Sequence, residues 1–327
     1  MKEKHPFHHW IQLEQPRLGT RVLYATDDFF AAKERVIDSA PPVFIDGKYD
    51  DHGKWMDGWE SRRKRTQGHD YCVIRLGVPG VIRGFDIDTS YFTGNYPPQA
   101  SIEACDSDAD LPDTGWVEIL PKTALKGNAH HYLACDDDRV WTHVRLHIYP
   151  DGGIARLRIY GEVRADFDGV EGYVDLAAIE NGGRAIACSD EHYGSMHNLN
   201  VPGRGVNMGD GWETARRRGP GNDWVIIALA QAGVIERAEV DTAHFKGNYP
   251  DRVSLEAGVF ANDAQASPDS TKWRSLLPET KLKMDQQHYF ENLESVGAVT
   301  HVRMSIYPDG GVSRLRLFGQ VGGSREL

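Results

Sequence analysis

The chain has 327 residues, enough for two domains of ordinary size, and its net charge of −11 argues against the basic face that a general nucleic-acid binder needs. Hydrophobic residues at 40% and charged residues at 26% are the balance of a globular protein, and no apolar run approaches the roughly 20 residues that span a bilayer. The opening MKEKHPFHHW lacks the apolar core of a secretory signal. The four cysteines, Cys72, Cys105, Cys135 and Cys188, form no CxxC and no duplicated pair, so free thiols in a cytoplasmic protein are the simplest expectation.

Residues 1–18 read as a lead-in. Arg21-Val22-Leu23-Tyr24-Ala25-Thr26-Asp27-Asp28 then opens a domain, and Arg184-Ala185-Ile186-Ala187-Cys188-Ser189-Asp190-Glu191 opens it again. Asp27–Val36 and Val174–Ile179 are the two best helical candidates in a chain where helical periodicity is scarce. Asp57-Gly58-Trp59-Glu60-Ser61-Arg62-Arg63-Lys64-Arg65 returns as Asp210-Gly211-Trp212-Glu213-Thr214-Ala215-Arg216-Arg217-Arg218. Residues 70–76 and 223–229 read as strands, and FDIDTSYFTGNYP at 85–97 matches AEVDTAHFKGNYP at 238–250. Ser101–Ala104 matches Ser254–Ala257, and His131-Tyr132 matches His288-Tyr289.

The strongest repeat closes each half. THVRLHIYPDGGIARLRIYGEV at 142–163 and THVRMSIYPDGGVSRLRLFGQV at 300–321 share 15 of 22 positions. Val140, Thr142, Val144, Leu146 and Ile148 alternate with Trp141, His143, Arg145, His147 and Tyr149, the period of a half-buried strand. Pro-Asp-Gly-Gly supplies turn chemistry, and alternation resumes after it, so the unit reads as a β-hairpin. That hairpin sets His147 opposite Arg156 and Arg145 opposite Arg158. Two facing arginines repel unless an anion lies between them, either a protein carboxylate such as Glu103 or a ligand.

These features describe an all-β chain made by internal duplication, with a lead-in at 1–18, repeats at 19–165 and 183–327, and a linker at 166–182. The closing Arg-Leu-Arg-aliphatic-aromatic-Gly pattern is similar to the last strand of galactose-binding-like, discoidin-type jelly rolls. The two halves together, with their DGWE…R, DT…GNYP and IYPDGG…RLR segments, resemble the allantoicase family over roughly 20–321. The resemblance implies two tandem jelly-roll β-sandwiches and a cytoplasmic hydrolase. It implies that allantoate and water give ureidoglycolate and urea, by cleavage of a C–N bond of a linear amidine-type substrate. The rival reading is a non-catalytic carbohydrate-binding jelly roll, since fold alone does not separate the two.

Duplicated polar residues are the site candidates. Glu60 and Glu213, each followed by an arginine cluster, Asp88 and Asp241 at strand ends, and His131 and His288 are acid–base candidates, joined by His244, which stands where the first half has Tyr91. His192-Tyr193 likewise replaces Phe29-Phe30, which points to the second half as the more catalytic one. Asn95 and Asn248 offer a donor and an acceptor to a ureido group. Arg145, Arg156 and Arg158, their counterparts Arg303, Arg314 and Arg316, and Arg216 are the carboxylate-binding candidates, with internal pairing of some of them to Glu103 and Glu256 as the competing reading. His143 and His147 lie about 13 Å apart on a strand and cannot chelate one ion. No cofactor or metal is expected, and the partner is a small-molecule substrate, with no nucleic acid, no membrane and a possible homo-oligomer.

Overall fold

The computed structural model describes residues 5–322 and divides into two compact units between Arg164 and Ala165. Each unit is built on one 19-residue strand, Asp70–Asp88 in the first and Asp223–Asp241 in the second. Residues 72–75 of the first pair with Arg21–Ala25 on one side and with Val140–Tyr149 on the other. That sheet continues through Gln99–Cys105 to Val117–Ala124. Residues 80–88 have other neighbours, Arg156–Val163 on one side and Tyr132–Ala134 on the other, and Ile11–Gln12 extends this layer. One strand shared in this way joins the two layers of a jelly roll, with Ile74, Ile82, Phe85, Leu146, Leu157 and Ile159 fully buried between them. The second unit repeats the order strand for strand. The all-β, duplicated jelly-roll architecture is the one the sequence predicts.

The hairpin is corrected. Val140–Tyr149 and Arg156–Val163 do not pair with each other; they lie along different stretches of the long strand. The Pro-Asp-Gly-Gly turn is tied elsewhere. The Asp151 carboxylate accepts the Lys64 amide at 2.8 Å, the Ser61 amide donates to the Gly152 carbonyl, and Gly153–Ile154 pairs with Trp59–Glu60. The chain therefore crosses from one layer to the other, and Arg145 faces Glu103 while Arg158 faces Asp86. The helical candidates are also corrected. Lys33–Ile37 is one 3-10 turn, and Val174–Asp175 is an edge strand followed by a 3-10 turn at Ile179–Asn181. Segments this short gain too few bonds to offset helix nucleation, and their apolar residues are buried against the sandwich instead.

Residues 11–12 and 174–175, in the lead-in and linker of the sequence reading, are edge strands of the two units. Each brings an acid to the closing strand. Glu14 accepts the Ile159 amide at 2.9 Å and lies 3.5 Å from Arg158. Asp175 accepts the Leu317 amide at 2.9 Å and lies 3.6 Å from Arg316. Burial pushes Glu14 up to about 7 and Asp175 up to about 6, against the pull of those arginines and amides.

The closing strand also straps down a loop. Leu157 and Leu315 point into the core, so the arginines on either side share the opposite face. Arg156 bonds the Ala40 carbonyl and pairs with Asp57 at 2.9 Å; Arg314 bonds the Gly203 carbonyl and pairs with Asp210 at 2.8 Å. Arg158 donates to the carbonyls of Asp38 and Ala40, and Arg316 to those of Val201 and Gly203. Both Arg156 and Arg314 are 1% exposed.

Two outcomes follow from these contacts. Arg314→Ala removes the ion-pair partner of the buried Asp210 carboxylate and lowers stability by about 3–5 kcal/mol in denaturant titration; a loss under 1 kcal/mol contradicts this role. Glu14 keeps its proton in the fold to a higher pH than in the unfolded chain, so its contribution is full below about pH 4.5 and lost as pH rises through about 7. The melting temperature of Glu14→Gln relative to the parent therefore moves in the variant's favour between pH 5 and pH 8. A difference independent of pH overturns the assignment.

Candidate functional site

The duplicated motifs converge at one end of each sandwich. In the first unit, Trp59 is fully buried and Glu60 pairs with Gly153 of the Pro-Asp-Gly-Gly turn. The Gly153 amide donates to the Asn95 carbonyl at 2.7 Å, and the Asn95 side-chain amide donates to Glu60 Oε1 at 2.7 Å. Gly152 has φ of 140°, and a Cβ on it would come within 2.8 Å of the Asn95 carbonyl; a Cβ on Gly153 would strike the Phe92 ring at 2.0 Å. The two glycines are required because the GNYP loop lies directly against Gly152 and the Phe92 ring against Gly153. Burial raises Glu60 above the usual carboxylate range, partly offset by the Asn95 hydrogen bond. In the second unit, Asn248 donates in the same way to Glu213, Glu213 pairs with Gly311, and the Gly311 amide bonds the Asn248 carbonyl at 2.8 Å.

Asp88 and Asp241 stand at the end of the long strand beside this cluster. The Asp88 carbonyl accepts the Ala155 amide, the Asp241 carbonyl accepts the Ser313 amide, and both residues lie opposite the first arginine of the closing motif. Their carboxylates accept the amides two residues on, Ser90 and Ala243, each at 2.8 Å. His131 and His288 are placed differently from a free acid or base. In each, Nδ1 donates to a long-strand carbonyl, Ile87 or Val240, and Nε2 accepts a loop amide, Lys126 or Lys283. These rings staple a loop, and burial lowers His288 below the ordinary histidine range.

Beyond this shared frame the two loop ends differ. Sixteen residues separate Ala40 from Asp57 in the first, and six separate Gly203 from Asp210 in the second. The longer loop carries exposed Val43, Phe44, Ile45 and Tyr49, and Phe44 stacks on Tyr91 with centroids 5.8 Å apart. The shorter loop brings Arg204, half-exposed, onto Glu239 and within 3.3 Å of Asp241. In the first unit His130 fills that role, with Nδ1 at 2.7 Å from Asp86; burial draws its pKa down, and the Asp86 contact outweighs this to leave it raised. His244 adopts the left-handed φ of 72° that Tyr91 shares. Its Nε2 lies 2.8 Å from the Gly205 carbonyl, so that nitrogen carries the proton. Its Nδ1 makes no hydrogen bond to the described residues.

The remaining candidates lie apart. Arg145 pairs with Glu103 and Arg303 with Glu256, each with Nε–O of 2.8 Å, on the outward face of the other layer. With Arg156, Arg158, Arg314 and Arg316 under the strapped loop, all six have internal carboxylate partners. Arg216 is exposed three residues past Glu213, and His192 is exposed in the 190–193 turn. Arg204 and its partner Glu239 are not among the candidates the sequence singles out, because the first half has no arginine at the matching place; the aligned Asp86/Glu239 pair and the shortened loop are the available signals. Among the described residues, no group of three or more His, Cys, Asp or Glu is placed to hold a metal ion. No described helix is long and apolar enough to cross a membrane.

The duplicated frame is shared with proteins of known name. A family model described as the allantoicase repeat matches residues 11–164 and again 174–322, bounds that take in both edge strands. "Probable allantoicase 2" of Burkholderia pseudomallei (strain K96243) is 58% identical over 319 residues, 95% of each chain. "Probable allantoicase" of Pseudomonas aeruginosa (strain UCBPP-PA14) is 56% identical over 327 residues, 98% of each. The crystal structure of allantoicase from Saccharomyces cerevisiae superposes with a TM-score of 0.82 at 36% identity, covering 95% of this chain and 93% of that one. With both repeats matched and relatives this similar along nearly the whole length, the chain belongs to the allantoicase family.

Proposed function

We propose that the chain is a cytoplasmic hydrolase that converts allantoate and water to ureidoglycolate and urea, and that the loop end of the second unit carries the chemistry. The near full-length identity to named allantoicases is the observation that supports the activity most directly. The substrate carbon bears a carboxylate and two ureido groups. One C–N bond breaks, the water oxygen takes the nitrogen's place, a base receives the water proton, and the departing ureido nitrogen gains a proton to leave as urea.

The second loop end offers groups of the right kind. Asn248 holds one oxygen of Glu213, and the other oxygen has no hydrogen bond to the described residues, free to accept a ureido N–H or pass a proton to the leaving nitrogen. His244, its tautomer set by the Gly205 carbonyl, presents Nδ1 as a proton acceptor. The half-exposed Arg204 and the exposed Arg216 are the cations best presented to a substrate carboxylate, with Asp241 orienting Arg204. In the first unit, Glu60, Asp88 and Asn95 keep the frame, Tyr91 stands where the second has His244, and His130 on Asp86 stands in for Arg204 on Glu239, a composition suited to binding or to scaffold.

Purified protein should release one urea per allantoate; absence of urea under saturating allantoate ends the reading. Glu213→Gln and His244→Ala should each lower kcat by about 100-fold or more, the scale for a positioned acid or base. Glu60→Gln should act mainly on KM. Equal kcat losses in Glu60→Gln and Glu213→Gln would show two like sites, and a larger loss in Glu60→Gln would move the chemistry to the first unit.

A further inference from the structure

The two units differ at a second place, on the outward face of the layer away from the loop end. In the second unit Trp224, Ser254, Glu256, Arg303, Ser305 and Tyr307 line a groove of about 530 Å³. Ser305 lies between Trp224 and Ser254 in the sheet register. It is 5% exposed, and its hydroxyl makes no hydrogen bond to the described residues. The Arg303 guanidinium holds one oxygen of Glu256, and the other oxygen has no such partner.

The first unit shows what this frame accommodates. The Arg145–Glu103 and Tyr149–Ser101 contacts reproduce Arg303–Glu256 and Tyr307–Ser254, the hydroxyl pairs at 2.9 and 3.0 Å. At the register position of Ser305 stands His147, and His69 precedes Asp70 as Asn222 precedes the matching Asp223. The His147 imidazole bonds the Glu103 carboxylate through Nε2 at 2.7 Å and His69 Nε2 through Nδ1 at 2.8 Å. The carboxylate is held below its usual range, since hydrogen bonds from Arg145 and His147 outweigh its burial. An ionised carboxylate only accepts, so His147 Nε2 carries the proton and Nδ1 accepts from His69. His69 in turn lies against the Tyr149 ring at 4.4 Å. Two imidazoles therefore fill in the first unit the space that serine and asparagine leave open in the second.

We propose that the groove of the second unit is a binding site for a small neutral nitrogen heterocycle of the imidazole class. A ring N–H donates to the Glu256 carboxylate, as His147 does to the Arg145-held oxygen of Glu103, the second ring nitrogen meets Asn222, and the ring face lies between Trp224 and Tyr307. The neutral ring has one N–H to donate to Glu256 and one bare nitrogen to accept from Asn222, which is why the neutral form is the one proposed. This inference is independent of the catalytic assignment, because the groove shares no residue with the loop end.

The test is a titration of the full chain with imidazole at pH 8, followed by calorimetry and by ligand-observed NMR. The expected result is one saturable site per chain. Ser305→His should weaken it by at least tenfold by placing the protein's own ring in the groove, and the double variant Asn222→His with Ser305→His should abolish it. The reverse double variant, His69→Asn with His147→Ser, should create a second site. Melting temperatures of all variants establish that they are folded, and Glu256→Gln, which keeps the shape, should weaken binding without closing the groove. Absence of saturable binding, or binding indifferent to Ser305→His in a folded protein, overturns the proposal.

Discussion

The loop ends depend on one buried ion pair in each unit, Arg156 with Asp57 and Arg314 with Asp210. A buried guanidinium is costly to desolvate, and it persists because the carboxylate and backbone carbonyls occupy its donors. The pair joins the closing strand to the residue three positions before Glu60 or Glu213, so it fixes where that glutamate emerges. Every other duplicated feature of the loop end is referred to it. The glycine pair admits the GNYP loop, that loop supplies Asn95 or Asn248, and the asparagine orients the glutamate.

The anchors that hold the loop before Asp57 or Asp210 are carbonyl oxygens of residues 38–40 and 201–203, which every residue type provides. The strapped loop can therefore change its sequence and length without loosening the sandwich. The chain uses that freedom. In one unit the loop runs out into exposed apolar residues that meet Tyr91; in the other it turns back at once and delivers Arg204 to Glu239 and Asp241. Duplication thus left a rigid frame common to both units and a loop in which they diverge.

Much of this was legible in the sequence. The 15-of-22 repeat fixed the duplication, period-two alternation fixed the strands, and the aligned Glu60/Glu213, Asn95/Asn248 and Asp88/Asp241 do gather at one end of each unit. The pairing of strands was not legible, because alternation gives a strand its faces and says nothing of its neighbours. A turn motif between two alternating segments reads as a hairpin until Asp151 and Gly152 are seen bonded to Lys64 and Ser61, about 90 residues earlier. Internal pairing, the competing reading for the arginines, holds for Arg145 with Glu103 and Arg303 with Glu256, while Arg156 and Arg314 have partners that local sequence does not show. Their aspartate partners lie about 100 residues away in sequence, so a local reading leaves their charges seeking a ligand. Arg204 was hidden because alignment of the halves rewards what is shared, and the proposed catalytic asymmetry rests on what is not.

The same logic orders the acids at the unit edges. Glu14 and Asp175 do not occupy matching sequence positions, since Asp175 pairs in register where the first unit has Gln12. They nevertheless bond matching amides, Ile159 and Leu317, and approach matching arginines. Each amide lies just after the third residue of an Arg-Leu-Arg segment, and each would be buried without a strand partner there. The requirement set by the closing strand is a buried acceptor at that point, and the length of a glutamate side chain makes up for its displacement along the edge. What the duplication conserves is a position in space where a carboxyl oxygen must stand, so sequence identity at 11–18 and 174–182 understates how alike the two edges are.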